Sequence, residues 1–249
     1  IGIKEITAVE LSSTAREELI KKGIDTHTTI DELTTKTSDL IFGNEILDNI
    51  PCSIGLYKDE GWYEKVVLLE ENSLTYGLRP IRNEELDWIN KNNIVPNEDY
   101  EFEIQVNIDK FLNSVIKKIN PGKILLFDYG YEQKNRDKRM YSSLLRTYKN
   151  HHLSVDPIDD PGNIDITYDV NFSSISSELK YLGYDVTLKL QRDFLLDNGF
   201  NIFFDELQEK YIAAEGIEKL KINSELNGMK AIVDSNGLGG FYCLIAEKL

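Results

Sequence analysis

The feature that most constrains this chain is the apolar run at residues 123–127, Lys-Ile-Leu-Leu-Phe, which follows Pro121-Gly122 and ends at Asp128-Tyr129-Gly130. A continuous apolar run of this length suits a strand covered on both faces, as parallel strands are. Ahead of it, Ile108, Phe111, Leu112, Val115, Ile116 and Ile119 have helical spacing. The same strand–helix alternation recurs. Residues 6–9 predict a strand, followed by a helix capped by Ser12 or Ser13, running to about Lys22 and stopped by Gly23. Residues 39–43 predict a second buried-type strand, with 44–48 turning into a helix that Pro51 closes. Residues 172–182 predict a helix, 184–190 a strand, and 193 to about 220 a mostly helical stretch. Residues 230–234 and 241–246 predict a last strand pair joined through Ser235 to Gly240, hence an antiparallel edge. Strands alternating with helices imply an α/β domain with a mainly parallel sheet.

Between these elements the pattern changes. Residues 54–57, 62–69 and 73–78 are β-rich and separated by turn residues, and 100–106 alternates apolar with charged. This predicts an inserted antiparallel meander over about 54–106, with a short helix near 84–90, in one domain spanning 1–249. The net charge of -15 disfavours nucleic acid on electrostatic grounds. No apolar run is long enough to span a membrane, and the start has no signal-peptide pattern. Cys52 and Cys243 are the only cysteines, which suggests neither a disulfide framework nor a zinc site, and a reduced, cytoplasmic setting is the simplest expectation.

In parallel sheets ligands bind beyond the carboxyl ends of the strands. Glu10 ends the first strand, where a carboxylate can accept two hydrogen bonds from a ribose diol or act as a helix N-terminal acid. Glu45 and Asp48, three apart, would share one face of a helical turn, converging on a cation, or serve with Asn44 as a capping set. Asp128 is either a ligand contact or a turn-former, with Gly130 permitting the turn. His151 and His152 stand adjacent in a loop, so they do not readily chelate one metal; one of them is a candidate base or anchor, or a plain surface histidine. Gly237-Leu238-Gly239-Gly240 reads as a hairpin turn rather than a nucleotide loop.

Several of these segments together resemble the MidA-type family of S-adenosylmethionine-dependent methyltransferases, which includes the mitochondrial complex I assembly methyltransferase. The run Asn44-Glu45-Ile46-Leu47-Asp48-Asn49-Ile50-Pro51 matches its Asn-Glu-Leu-Leu-Asp-Ala-Leu-Pro signature. Trp62-Tyr63-Glu64-Lys65-Val66-Val67, the strand from Gly122 to Asp128-Tyr129-Gly130, Leu145-Arg146-Thr147-Tyr148-Lys149-Asn150-His151, Asp156-Pro157 with Pro161-Gly162 and Asp165-Ile166-Thr167, and Gln191 with Phe194-Leu195 match further motifs in order. The resemblance runs from Glu10 to the final strand. It departs at Ser143-Leu144, where the family has Gly-Thr, and at Asn171, where the family has Asp. The family's Gly-x-Gly loop and first strand have no counterpart.

The resemblance implies a class I methyltransferase (Rossmann-like) fold, S-adenosyl-L-methionine as cofactor, and a partner protein with an accessible arginine. Glu10 and Asn44 are then the expected cofactor-binding residues. Glu45, Asp48, Asn44 and His151 are the expected catalytic residues, and Asp128, Tyr129, Arg146 and Asp165 the expected substrate-binding ones. A guanidinium stays protonated at any usual pH. Carboxylates paired with it can localise its charge on one nitrogen and leave the other to attack. The alternative is a non-catalytic assembly or binding protein that keeps the fold. With the first strand missing, the expectation is also that residues 1–249 alone are unstable and inactive, and that a preceding segment supplies strand and loop.

Overall fold

The computed structural model describes residues 5–34, 38–95, 97–138, 145–149, 152–153 and 156–248. The chain opens with β1 (Thr7–Val9), α1 (Ser13–Lys21) and β2 (Asp25–His27), in which β1 and β2 pair in parallel. Ser12 caps α1, its side chain accepting the Ala15 N–H at 3.3 Å. After β3 (Leu40–Asn44) comes the insertion: β4 (Ser53–Lys58), β5 (Gly61–Glu70), β6 (Ser73–Pro80), α2 (Asn83–Lys91) and β7 (Tyr100–Ile104). Its strands form an antiparallel sheet in the order β6-β5-β4-β7. Then α3 (Val106–Ile119) leads into β8 (Lys123–Asp128). Five short strands follow: β9 (Gly130–Tyr131), β10 (Leu145–Lys149), β11 (His152–Leu153), β12 (Asp165–Tyr168) and β13 (Val170–Asn171). The last elements are α4 (Phe172–Tyr181), β14 (Tyr184–Leu190), α5 (Gln191–Asp197), α6 (Phe200–Ala213), α7 (Gly216–Val233) and β15 (Tyr242–Lys248).

The central sheet has the order β14-β15-β8-β3, with β8 parallel to β3 and β15 antiparallel to both its neighbours. The apolar run of β8 is buried as expected, and Ile124 and Leu126 pack with Ile108 and Leu112 of α3, Ile175 and Leu179 of α4, and Leu244 and Ala246 of β15. β3 is the edge strand of this sheet among the described residues, with Leu40 and Phe42 exposed. No helix among the described residues is long and apolar enough to cross a membrane.

The closing strand pair is corrected. Residues 230–233 continue α7, and the antiparallel strand lies one place in from the edge, between β14 and β8. The reason is periodicity: Ile222, Leu226, Met229 and Val233 have helical spacing, and a short apolar run at a helix end looks like a strand when read alone. The Gly237–Gly240 segment is therefore not a hairpin turn. Leu238–Gly240 form a 3-10 turn from α7 into β15, and a Cβ on Gly239 would lie 2.5 Å from the Val233 carbonyl carbon.

Gly130 is fixed by close approach. In the β9–β13 pair a Cβ there would lie 2.1 Å from the Val170 carbonyl oxygen, a backbone atom that cannot swing away. Gly130→Ala is expected to destabilise by about 1–3 kcal/mol in urea unfolding. Gly228→Ala, inside α7 with nothing within 4 Å of the new Cβ, should instead stabilise by roughly 0.5–1 kcal/mol. Equal effects at the two positions would refute the close-approach argument.

Candidate functional site

At the carboxyl end of β8 the chain leaves the sheet through Asp128-Tyr129-Gly130. Asp128 is fully buried. Its Oδ2 accepts the backbone N–H groups of Leu47 at 2.9 Å and Asp48 at 3.2 Å, and its Oδ1 accepts the Tyr129 N–H at 2.9 Å. This carboxylate therefore holds the segment that follows β3. The expected helix there is absent, and Glu45 and Asp48 do not share a helical face. Glu45 sits in the left-handed region at φ 49°, and its N–H continues the strand pairing by donating to Phe127 O at 2.9 Å. The Tyr168 hydroxyl shares its single proton between the carbonyls of Ile50 at 2.6 Å and Leu47 at 3.1 Å. Side chains thus satisfy the backbone groups of a loop that has no ladder or helix of its own to pair them.

The loop sorts its acids by depth. Asp48 is buried; its Oδ1 accepts from Asn49 Nδ2 at 2.8 Å, and its Oδ2 accepts the Tyr129 hydroxyl. Glu45 is exposed and accepts from Asn44 Nδ2 at 3.3 Å. Asp165, the first residue of β12, is also exposed. Burial first, then the negative charges of Glu45 and Asp165, raise the Asp48 carboxyl above its ordinary value, against the Tyr129 hydrogen bond. Burial and the Asp48 charge push Asp128 up to about 7, despite the three N–H groups it accepts. Burial, then the bond to Asp48, raises the Tyr129 phenol. Among the described residues no lysine or arginine pairs with Glu45, Asp48, Asp128 or Asp165.

Beside Tyr129 lies a cavity of ≈ 240 Å³, lined in part by Gly130, Arg146, Asp169, Gly240 and Phe241. Arg146 on β10 forms an ion pair with buried Asp169 and stacks over the Tyr129 ring, 4.9 Å from its centroid. Phe241 meets the same ring edge-on at 5.4 Å. The fold thus brings together Asn44, Glu45, Asp48, Asp128, Tyr129, Arg146 and Asp165. His151 lies outside the described residues. Sequence reasoning missed Asp169 and Phe241, because no motif or spacing marks either one. Asn171 caps α4, its Oδ1 accepting from Ser173 N at 3.1 Å and Ser174 N at 3.2 Å. Asn and Asp cap about equally well, which accounts for an amide there.

Glu10 follows β1. One carboxylate oxygen accepts the Ser12 N–H at 2.8 Å, and the other has no partner among the described residues. An acid at the carboxyl end of a parallel strand with a free acceptor oxygen fits a hydroxyl-bearing ligand such as a nucleoside.

Asp128→Asn should loosen the 45–50 loop, because an amide has one acceptor oxygen for three N–H groups and turns an NH₂ toward the rest. A loss of about 1–3 kcal/mol is expected, with faster hydrogen exchange at Leu47 and Asp48. The pH dependence follows from the raised value. The folded state holds the Asp128 proton more tightly than the unfolded chain, so this contribution is complete below about 4 and is lost as pH rises through about 7. The variant should lack that loss; an unchanged pH–stability profile would remove Asp128 as its source.

The fold is shared with solved structures. A COG1565 superfamily member from Burkholderia thailandensis, bound to S-adenosyl-homocysteine, superposes with a TM-score of 0.81 at 22% identity, covering 98% of this chain and 64% of that one. A native COG1565 superfamily protein from the same organism gives 0.83 at 22% identity, covering 100% and 67%. This chain thus spans about 64% of the length of the first of these. No curated protein matches the sequence. A family model does, over residues 4–187, with the description "Putative S-adenosyl-L-methionine-dependent methyltransferase". The chain belongs to that family, whose methyl donor is S-adenosyl-L-methionine.

Proposed function

We propose that this chain is the acceptor-side part of an S-adenosyl-L-methionine-dependent methyltransferase whose acceptor is an arginine of a protein. One observation carries the reading. The charges of Glu45 and Asp165 both act on Asp48 at the carboxyl end of the sheet, and among the described residues no lysine or arginine pairs with any of the three. An arriving guanidinium relieves that repulsion. It pairs at the surface with Glu45 and Asp165 and feels the buried Asp48 charge beneath, which Tyr129 holds in place. Charge-assisted pairing of this kind orients the acceptor and draws its charge toward one nitrogen, leaving the other to react. When bound, S-adenosyl-L-methionine supplies an electrophilic methyl group. Glu10 would hold it through its ribose and Asn44 would contribute an amide to the same site. Arg146, held by Asp169 over Tyr129, walls the cavity beside them.

Three measurements on the protein test the reading. Glu10→Ala should weaken donor binding by on the order of 2–3 kcal/mol in calorimetry, as loss of a charge-assisted pair does; a folded variant with unchanged affinity takes Glu10 out of the site. Glu45→Gln and Asp48→Asn should leave donor binding nearly intact and lower methyl transfer to arginine peptides at least tenfold, with lysine peptides as controls. Because Asp48 and Asp128 are held above their ordinary values, arginine-peptide binding should release protons and tighten as pH rises toward about 7. Wild-type transfer rates in both acid variants would refute the carboxylate clamp.

A further inference from the structure

Helices α5, α6 and α7 pack on one another and leave a second cavity of ≈ 360 Å³ between them. Residues three or four apart share a helix face, and each helix gives one such pair to the lining: Arg192 and Leu196 from α5, Phe200 and Phe204 from α6, Lys230 and Val233 from α7. The Phe200 and Phe204 rings stack with centroids 5.8 Å apart, and the Lys230 ammonium stands 6.0 Å from the centre of the Phe204 ring. Arg192 and Lys230 are exposed, and neither pairs with a carboxylate among the described residues. Asp234, which also lines the cavity, already accepts the Asn236 N–H through its Oδ1 at 3.0 Å. The walls are tied to the sheet. The Gln191 N–H donates to Phe241 O at 2.8 Å, and the Gln191 side-chain amide donates to Ile232 O at 3.0 Å. Ser235 borders both this cavity and the one beside Tyr129, so the two adjoin at the same end of the fold.

We propose that this cavity is a second subsite for the acceptor protein, and that it takes the side chain of an aspartate or glutamate three or four residues from the target arginine. The assignment rests on the arginine-acceptor reading. Its reach follows from the sheet. Tyr242 stands opposite Asp128 on one side and opposite Leu190 on the other. The start of α5 therefore lies two strand spacings, about 10 Å, from Asp128. The loop after β3 lies one spacing further in the other direction, because Asn44 pairs with Phe127. An extended segment advances about 3.3 Å per residue. One whose arginine meets Glu45 and Asp48 thus reaches Arg192 after three or four residues, by way of Ser235. Arg192 and Lys230 take the carboxylate, and Phe200 and Phe204 take the methylene stem. A chain with a net charge of -15 repels acidic segments in general, so an acid favoured at one position marks this pair of cations.

Fluorescence anisotropy with labelled short peptides tests this. Each carries one arginine in an alanine and glycine background, with a single glutamate moved along either side of it. On one side, a glutamate three or four residues away should tighten binding by about fivefold over alanine at that place, and an adjacent glutamate should not. Arg192→Glu with Lys230→Glu should fold as the wild type does by circular dichroism, lose the preference for glutamate and favour lysine at that position. If the reversed protein fails to fold, Arg192→Gln with Lys230→Gln, which only removes charge, should still abolish the preference. Lys221→Glu, on α7 but outside the cavity, should keep it. Glutamate no better than alanine at every position, or a preference that survives loss of both cations, overturns the proposal. Citrulline in place of the arginine separates the two readings. If affinity is then unchanged while the glutamate preference still depends on Arg192 and Lys230, the subsite stands and the arginine acceptor falls.

Discussion

The buried carboxylate of Asp128 is the interaction on which the site depends. It is the last residue of the strand at the centre of the sheet, and it faces three backbone N–H groups with no cation among the described residues. Two of those groups belong to the loop after β3, so one side chain joins the ends of two parallel strands. The loop in turn sets the depth of its acids, with Asp48 below and Glu45 at the surface. Two carboxylates and a phenol then share a poorly solvated space, where each charge raises the proton affinity of its neighbours.

The second wall of the site comes from the far end of the chain. α7 carries the backbone past the sheet, and the turn at Leu238–Gly240 returns it as β15 beside β8, with Tyr242 opposite Asp128. The close approach of Gly239 to the end of α7 keeps that turn short. Phe241 is thereby set against the Tyr129 ring, which Arg146 covers from another side. Tyr129 is thus held by two ring contacts as well as its bond to Asp48, and the position of its hydroxyl is overdetermined.

The inserted sheet is tied to the domain by charge as well as by packing. Lys91 at the end of α2 pairs with Asp109 of α3 at 3.0 Å and with Glu178 of α4. Arg136 is buried among Tyr100, Phe102 and Tyr131, with Glu103 at 3.5 Å. Removing either partner of that pair would leave a buried charge uncompensated, which costs far more than a surface pair contributes. These ties hold α2 and β7 of the inserted sheet against the rest of the domain.

The sequence by itself determined the elements whose residues repeat at one period. The apolar run of β8, the helical spacing of α3, a serine cap at Ser12 or Ser13 and the alternation over 100–106 depend on local pattern, and local pattern survives into the structure. The motifs read at 44–51, 128–130 and 145–148 also gather at one end of the fold. Tertiary structure decided what those segments do. Residues 44–50 contain good helix-starting residues, yet their N–H groups found a buried carboxylate 80 residues away, and their carbonyls found the Tyr168 hydroxyl, so no helix formed. Residues 230–233 could have been strand or helix at that length, and the pairing of β15 with β8 left them in α7. The Arg146–Asp169 pair and the burial of Asp128 had no local signature, because they arise only when distant strands meet. Spacing along a chain reports which residues can share a face; only packing decides which of them lose their water.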